Sequence, residues 1–163
     1  MDDTISDPQL HSDTQALYEA LSDLVRLYQF RDRDRICCHD VSVTQCYALE
    51  SMVRCGPMGL NALAAELYLD KSTASRVVNA LERKGYLRRE GDPQDGRALI
   101  LTLTPEGLRL HSQIEAEILC EERALLAQVP PAVRREMTLL LRRLVTVAAD
   151  RAGVPSPKCC GMP

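Results

Sequence analysis

Tryptophan is absent and phenylalanine occurs once; aromatic residues make up 4% of the 163 residues. A core of this size must therefore be filled by Leu, Val, Ala and Met, a composition that favours helices. No apolar run approaches the roughly 20 residues that span a bilayer. The first residues, Met1-Asp-Asp-Thr-Ile-Ser-Asp7, are acidic and lack the basic-then-apolar order of a secretory signal, so a cytoplasmic chain with no membrane partner is expected. Net charge is −3, which excludes a globally basic nucleic-acid binder. A local basic face is not excluded: residues 70–97 hold seven Lys/Arg against five Asp/Glu. No Gly-rich phosphate loop, nucleophile elbow or paired-carboxylate site stands out, and no C-x-x-C occurs, so an enzyme is not expected.

Hydrophobic spacing divides the chain. Residues 1–12 are polar and read as a frayed end. From Asp13, Leu17, Leu21, Leu24, Val25 and Tyr28 recur at helical intervals, and the alternating charges of Arg31–Arg35 read as a solvated helix end or loop. Ser42 and Gln45 have the spacing of a capping box, and Gly56-Pro57 ends the helix they open. Its buried stripe is Cys46, Leu49 and Val53. A short helix follows around Leu60–Leu67, then a turn at Tyr68-Leu69-Asp70, then a helix to Lys84 stopped by Gly85. Ala74, Val77, Val78 and Leu81 form one side of that helix. Ser72, Ser75, Arg76, Asn79 and Arg83 form the other.

After Gly85 the pattern becomes extended. Tyr86–Glu90 and Arg97–Leu103 flank the turn-rich Gly91-Asp-Pro-Gln-Asp-Gly96, the signature of a β-hairpin. Thr104-Pro105 opens a long helix, Pro130-Pro131 breaks it, and a last helix carries Val133, Met137, Leu140, Leu144 and Val147 near heptad spacing. The domain plan is residues 1–12 as N-terminus, 13–41 as first helix and Cys-Cys-His loop, 42–104 as a compact lobe, 105–152 as C-terminal helices and 153–163 as a flexible tail.

The fold class is mainly α with a small β-hairpin wing. Helix, tight turn, helix and hairpin is the order of a winged helix-turn-helix. A major groove admits one helix, and short polar side chains and Arg read base edges. Ser72, Thr73, Ser75, Arg76 and Asn79 occupy the part of the helix expected to enter the groove, with Arg76 able to fork onto a guanine and Asn79 onto an adenine. Arg97 lies at the hairpin base, within expected reach of a minor groove.

Asp70–Glu90, Asp92-Pro-Gln-Asp-Gly-Arg97 and Leu101-Thr-Leu-Thr-Pro-Glu-Gly107 resemble the MarR-type bacterial regulators, over roughly residues 13–150. The resemblance implies a repressor that binds double-stranded DNA as a homodimer built from its N- and C-terminal helices. Two protomers would read a near-palindromic operator with half-sites ~10 bp apart. It also implies that Arg97 contacts DNA while Asp95 holds it. Ser72, Thr73, Ser75, Arg76, Asn79 and Arg83 carry the recognition-helix role.

Seven cysteines are many for a chain in a reducing compartment, and two pairs are vicinal. Cys37, Cys38, His39 and Cys46 lie close in sequence, and Cys159 and Cys160 sit in the tail. Soft thiolates select thiophilic ions, so arsenic(III) or mercury(II) bound at these six residues is one expected inducer; no cofactor is obligatory. A thiol redox switch is a second reading, since Arg33 and Arg35 lie beside Cys37 and Cys38. A zinc site at His39, His111 and Glu115 is a third, although His111 alone reads as a surface residue. An organic ligand in the dimer cleft is a fourth. Cys55 and Cys120 read as structural.

Overall fold

The computed structural model describes residues 8–36, 39–91 and 99–154. Its order is α1 (Pro8–Ile36), α2 (Val43–Cys55), α3 (Leu60–Glu66), α4 (Lys71–Arg83), β1 (Leu87–Gly91), β2 (Leu99–Leu103), α5 (Pro105–Ala127) and α6 (Pro131–Ala152). The mainly helical architecture with one antiparallel hairpin is the one expected from sequence. Among the described residues no helix is long and apolar enough to cross a membrane.

Local signals set the boundaries. Ser42 Oγ accepts from the Gln45 amide while the Gln45 side chain accepts from the Ser42 amide, completing the capping box of α2. Lys84 caps the end of α4, and Gly85 follows with φ of 77°, in the left-handed region where glycine carries no Cβ penalty. Thr104 Oγ1 accepts from the Gly107 amide (3.1 Å) and donates to the Gly85 carbonyl (2.6 Å), so one hydroxyl ties the end of α4 to the start of α5.

Two elements differ from expectation. α1 starts at Pro8 rather than Asp13, and it continues through the charge run to Ile36. That run is not solvated as a whole. Asp32 is buried and accepts from the Tyr47 hydroxyl of α2 and from Arg31, whose Nη2 lies 2.7 Å away. Arg31 also pairs with Glu122 of α5 and lies over the Tyr28 ring at 4.1 Å. The interior side of the run thus has partners on two other helices, and helical backbone continues there. In α2, Val53 faces outward; Ala48 and Met52 join Cys46 and Leu49 in the buried face instead.

The core is one cluster drawn from α1 to α5 and the hairpin. Ile36, Leu49, Leu63, Val78, Leu81, Leu87, Leu101 and Ile114 are its largest fully buried members. The hairpin is rooted in it: Leu87 pairs with Leu103, Arg89 with Leu101, and Met58 bonds Leu101 in both directions (3.2 and 2.8 Å). α6 stands apart, with Ala149 its one buried residue among those described.

Candidate nucleic-acid interface

α4 presents its polar side outward because its apolar side is taken. Ala74, Val77, Val78 and Leu81 are buried at helical spacing, as read from sequence. Lys71, Ser72, Arg76, Asn79 and Arg83 are exposed; Thr73 and Ser75 are partly covered. The hairpin stands beside this face. A short helix, a turn and an exposed second helix flanked by a two-stranded wing are present together.

The polar side chains are organised among themselves. Asp70, the N-cap of α4, accepts from the Ser72 hydroxyl (2.7 Å), the Thr73 hydroxyl (2.7 Å) and the Thr73 amide (2.9 Å). These bonds, the Ser72 hydroxyl foremost, hold the Asp70 carboxyl well below the usual carboxylate range. Both hydroxyl protons are thereby committed to the cap, which leaves Ser72 and Thr73 their oxygens rather than their protons for other partners. Arg76 Nη2 donates to Thr73 Oγ1 at 3.0 Å, so its guanidinium lies back along the helix. Asn79 Oδ1 accepts from Arg89 Nη2 of β1 at 2.6 Å, and Arg89 also pairs with Glu82.

Arg89 is a functional candidate that the sequence reading passed over. The signal was the two-residue period of the strand. Arg89 falls on the same face as buried Leu87, and that face points to α4. Asp95 and Arg97 lie outside the described residues, as do Cys37, Cys38, Cys159 and Cys160.

The remaining inducer candidates are brought together only in part. His39 Nε2 lies 3.3 Å from Glu117. His111 is not at the surface: it is 6% exposed, with Nδ1 4.0 Å from Glu115 one turn along α5. It lines a cavity of about 200 Å³ with Cys46, Glu50 and Glu115, and His39 is not part of that lining. Burial, with Glu50 and Asp32 adding negative charge, pushes the Cys46 thiol up to about 11. Cys46 is therefore a protonated thiol near neutral pH. Among the described residues no group of three or more His, Cys, Asp and Glu side chains is placed to hold a metal ion. Cys55 is half-buried, and Cys120 is exposed rather than structural.

Known proteins share this arrangement. Residues 39–98 match the sequence model of the MarR family. A putative transcriptional regulatory protein for the hcr operon of Thauera aromatica is 34% identical over 84 residues, which span 52% of this chain and 51% of that protein. The chain thus spans about half the length of that relative. An uncharacterized HTH-type transcriptional regulator of Mycobacterium leprae is 28% identical over 149 residues, 91% of this chain and 87% of that one. The crystal structure of a MarR transcriptional regulator from Methanosarcina mazei superimposes with a TM-score of 0.73 at 24% identity, covering 83% of this chain and 98% of that one. With the exposed α4, the hairpin rooted beside it and the matched segment that contains most of both, residues 39–98 are similar in sequence and arrangement to the MarR family.

Proposed function

We propose that the chain is a transcriptional repressor that binds double-stranded DNA as a homodimer, with α4 in the major groove and the hairpin against the adjacent backbone or minor groove. One observation carries this reading: the exposed side of α4 holds Lys71, Arg76, Asn79 and Arg83, while its opposite side is buried and fixed by the core. A protein of net charge −3 binds a polyanion through such a face, not through its overall charge. Asp95 and Arg97 act at the wing, Ser72, Thr73 and Ser75 at the start of α4. The apolar outer side of α6 supports the homodimer, and a two-fold dimer reads a near-palindromic operator.

The test is a filter-binding titration against a duplex of the chain's own promoter region at several salt concentrations. A repressor of this kind loses affinity steeply with salt, because each neutralised phosphate releases counterions. Salt-independent or absent binding sinks the reading.

The inducer is a thiophilic metal or metalloid ion in this proposal. The vicinal Cys37-Cys38 pair and the Cys159-Cys160 pair are its support. Cys46 is a poor donor, because its thiol must lose a proton that burial retains. Titrating arsenite, mercury(II), zinc and peroxide into the DNA complex separates the alternatives. Release by a thiophilic ion, lost in the Cys37→Ser, Cys38→Ser double variant, supports the thiolate site. Release by peroxide alone, reversed by a dithiol, supports a redox switch. No release by any of them turns the search to an organic ligand.

A further inference from the structure

The contact between Arg89 and Asn79 bears on which base α4 reads. An adenine is recognised by Asn through both ends of the amide at once, with Oδ1 accepting from N6 and Nδ2 donating to N7. Here Oδ1 is engaged by Arg89 Nη2 at 2.6 Å. A guanidinium only donates, so the atom facing it must be the oxygen, and the amide cannot be turned the other way without placing two donors together. Charge on the donor makes the bond one of the stronger kind.

Arg89 is itself held. It sits on the core-facing side of β1, opposite buried Leu101 across the ladder, and its other nitrogen pairs with Glu82. Glu82 lies three residues after Asn79, on the same flank of α4. The chain of contacts runs from Glu82 through Arg89 to Asn79 oxygen. It leaves the Asn79 nitrogen as the end of the amide turned away from the wing, on an exposed side chain.

We propose that Arg89 is a specificity-setting positioning residue. By holding the Asn79 oxygen on the wing side it turns the amide nitrogen outward, so that Asn79 meets the bases with its donor end and selects an acceptor edge, guanine above all, over the two-ended pairing with adenine. Guanine offers two acceptors, N7 and O6, in the major groove, whereas adenine offers N7 beside a donor that repels the amide N–H. This inference rests on α4 being the recognition helix.

The experiment is selection of bound duplexes from a randomised pool, followed by affinities for the selected site with each single-base change. It is run on the full chain and on Arg89→Met, Arg89→Lys and Asn79→Ala. The wild-type chain is expected to prefer guanine about ten-fold at one position of each half-site, the discrimination typical of a good base contact. Asn79→Ala loses that preference at the same position. Arg89→Met frees the amide to turn and shifts the position to adenine or to less than about two-fold selectivity. Arg89→Lys, which keeps a cationic donor, retains guanine. A melting curve of each variant establishes that it is folded before its preferences are compared. An unchanged guanine preference in Arg89→Met, with affinity lowered equally for all sequences and a salt slope reduced by about one, makes Arg89 a phosphate contact and overturns the proposal. A wild-type preference for adenine at the Asn79 position overturns it as well. Failure of the wild-type chain to select any sequence defeats the DNA-binding reading itself, and this inference with it.

Discussion

Asp70 links fold stability to the candidate interface. Its folded carboxyl is held below the ordinary range by hydrogen bonds from Ser72 and Thr73. An unfolded Asp titrates near 3.9, so between the two values the unfolded chain binds more protons and stability rises with pH. The contribution is complete above the unfolded value and is lost as pH falls through the folded one. Asp70→Asn is therefore expected to melt below the wild type at neutral pH, and the gap should begin to narrow as the solution is taken below pH 4. Melting curves from pH 7 to 3 test this; a constant gap refutes it. Cys46 gives a second expectation. With its thiol pushed up to about 11 and its side chain buried, it should resist alkylation at pH 7 while exposed Cys120 reacts. Peptide mass spectrometry after brief iodoacetamide treatment reads both, and rapid labelling of Cys46 in the folded chain would contradict the burial. At this scale the sequence was legible where a residue acts through its own backbone. Ser42 with Gln45 is of that kind. It was not legible for His111, whose burial depends on α2 lying over α5, nor for Arg89, whose partners stand ten and seven residues away on another element.

Elements were legible by period and by punctuation. The four buried residues of α4, the hairpin and the Thr104-Pro105 start of α5 follow from spacing and from Gly or Pro. The length of α1 did not follow, because mixed charges read as solvent-facing until Tyr47 and Glu122 are known to meet them. The junction of α5 with the root of the hairpin leaves no room for a side chain at Gly107. A Cβ on Gly107 would stand 2.1 Å from the Tyr86 carbonyl oxygen. That oxygen also accepts from the Thr104 amide at 3.1 Å, so it cannot retreat without losing a bond. Gly107→Ala must then move α5 away from the end of α4 and the root of the wing. Overpacking of this kind costs about 1–3 kcal/mol. Urea unfolding should show a loss within or above that range, accompanied by weaker DNA binding, since the wing and α4 share the displaced root. Wild-type stability in Gly107→Ala would mean that the junction is softer than its geometry.

Among the described residues, little tertiary packing covers α6. Ala149 is its one buried residue among those described, while Val133, Leu139, Leu140, Leu141, Val145 and Val147 are exposed. A 22-residue helix of this kind is stabilised mainly by tertiary packing of an apolar face, and the described chain does not supply that packing. The seam of Val133, Met137, Leu140, Leu144 and Val147 read from sequence has the spacing of helices that pack along one another. A second copy of the chain is the partner that the proposed function requires. Leu140 is 66% exposed near the centre of this seam, so replacing it by Asp leaves the folded protomer little changed and places a charge where two seams would meet. Sedimentation should then show Leu140→Asp as a monomer at concentrations where the wild type is a dimer. A monomer engages one half-site at a time and loses the intramolecular second contact, a difference of about 10²–10⁴ in affinity. Binding to an isolated half-site should be equal for the two proteins, because α4, Asn79 and Arg89 lie far along the chain from the change. Leu140→Asp that stays dimeric would move the interface elsewhere; one that is monomeric yet binds the full operator as tightly as wild type would separate dimerisation from DNA recognition.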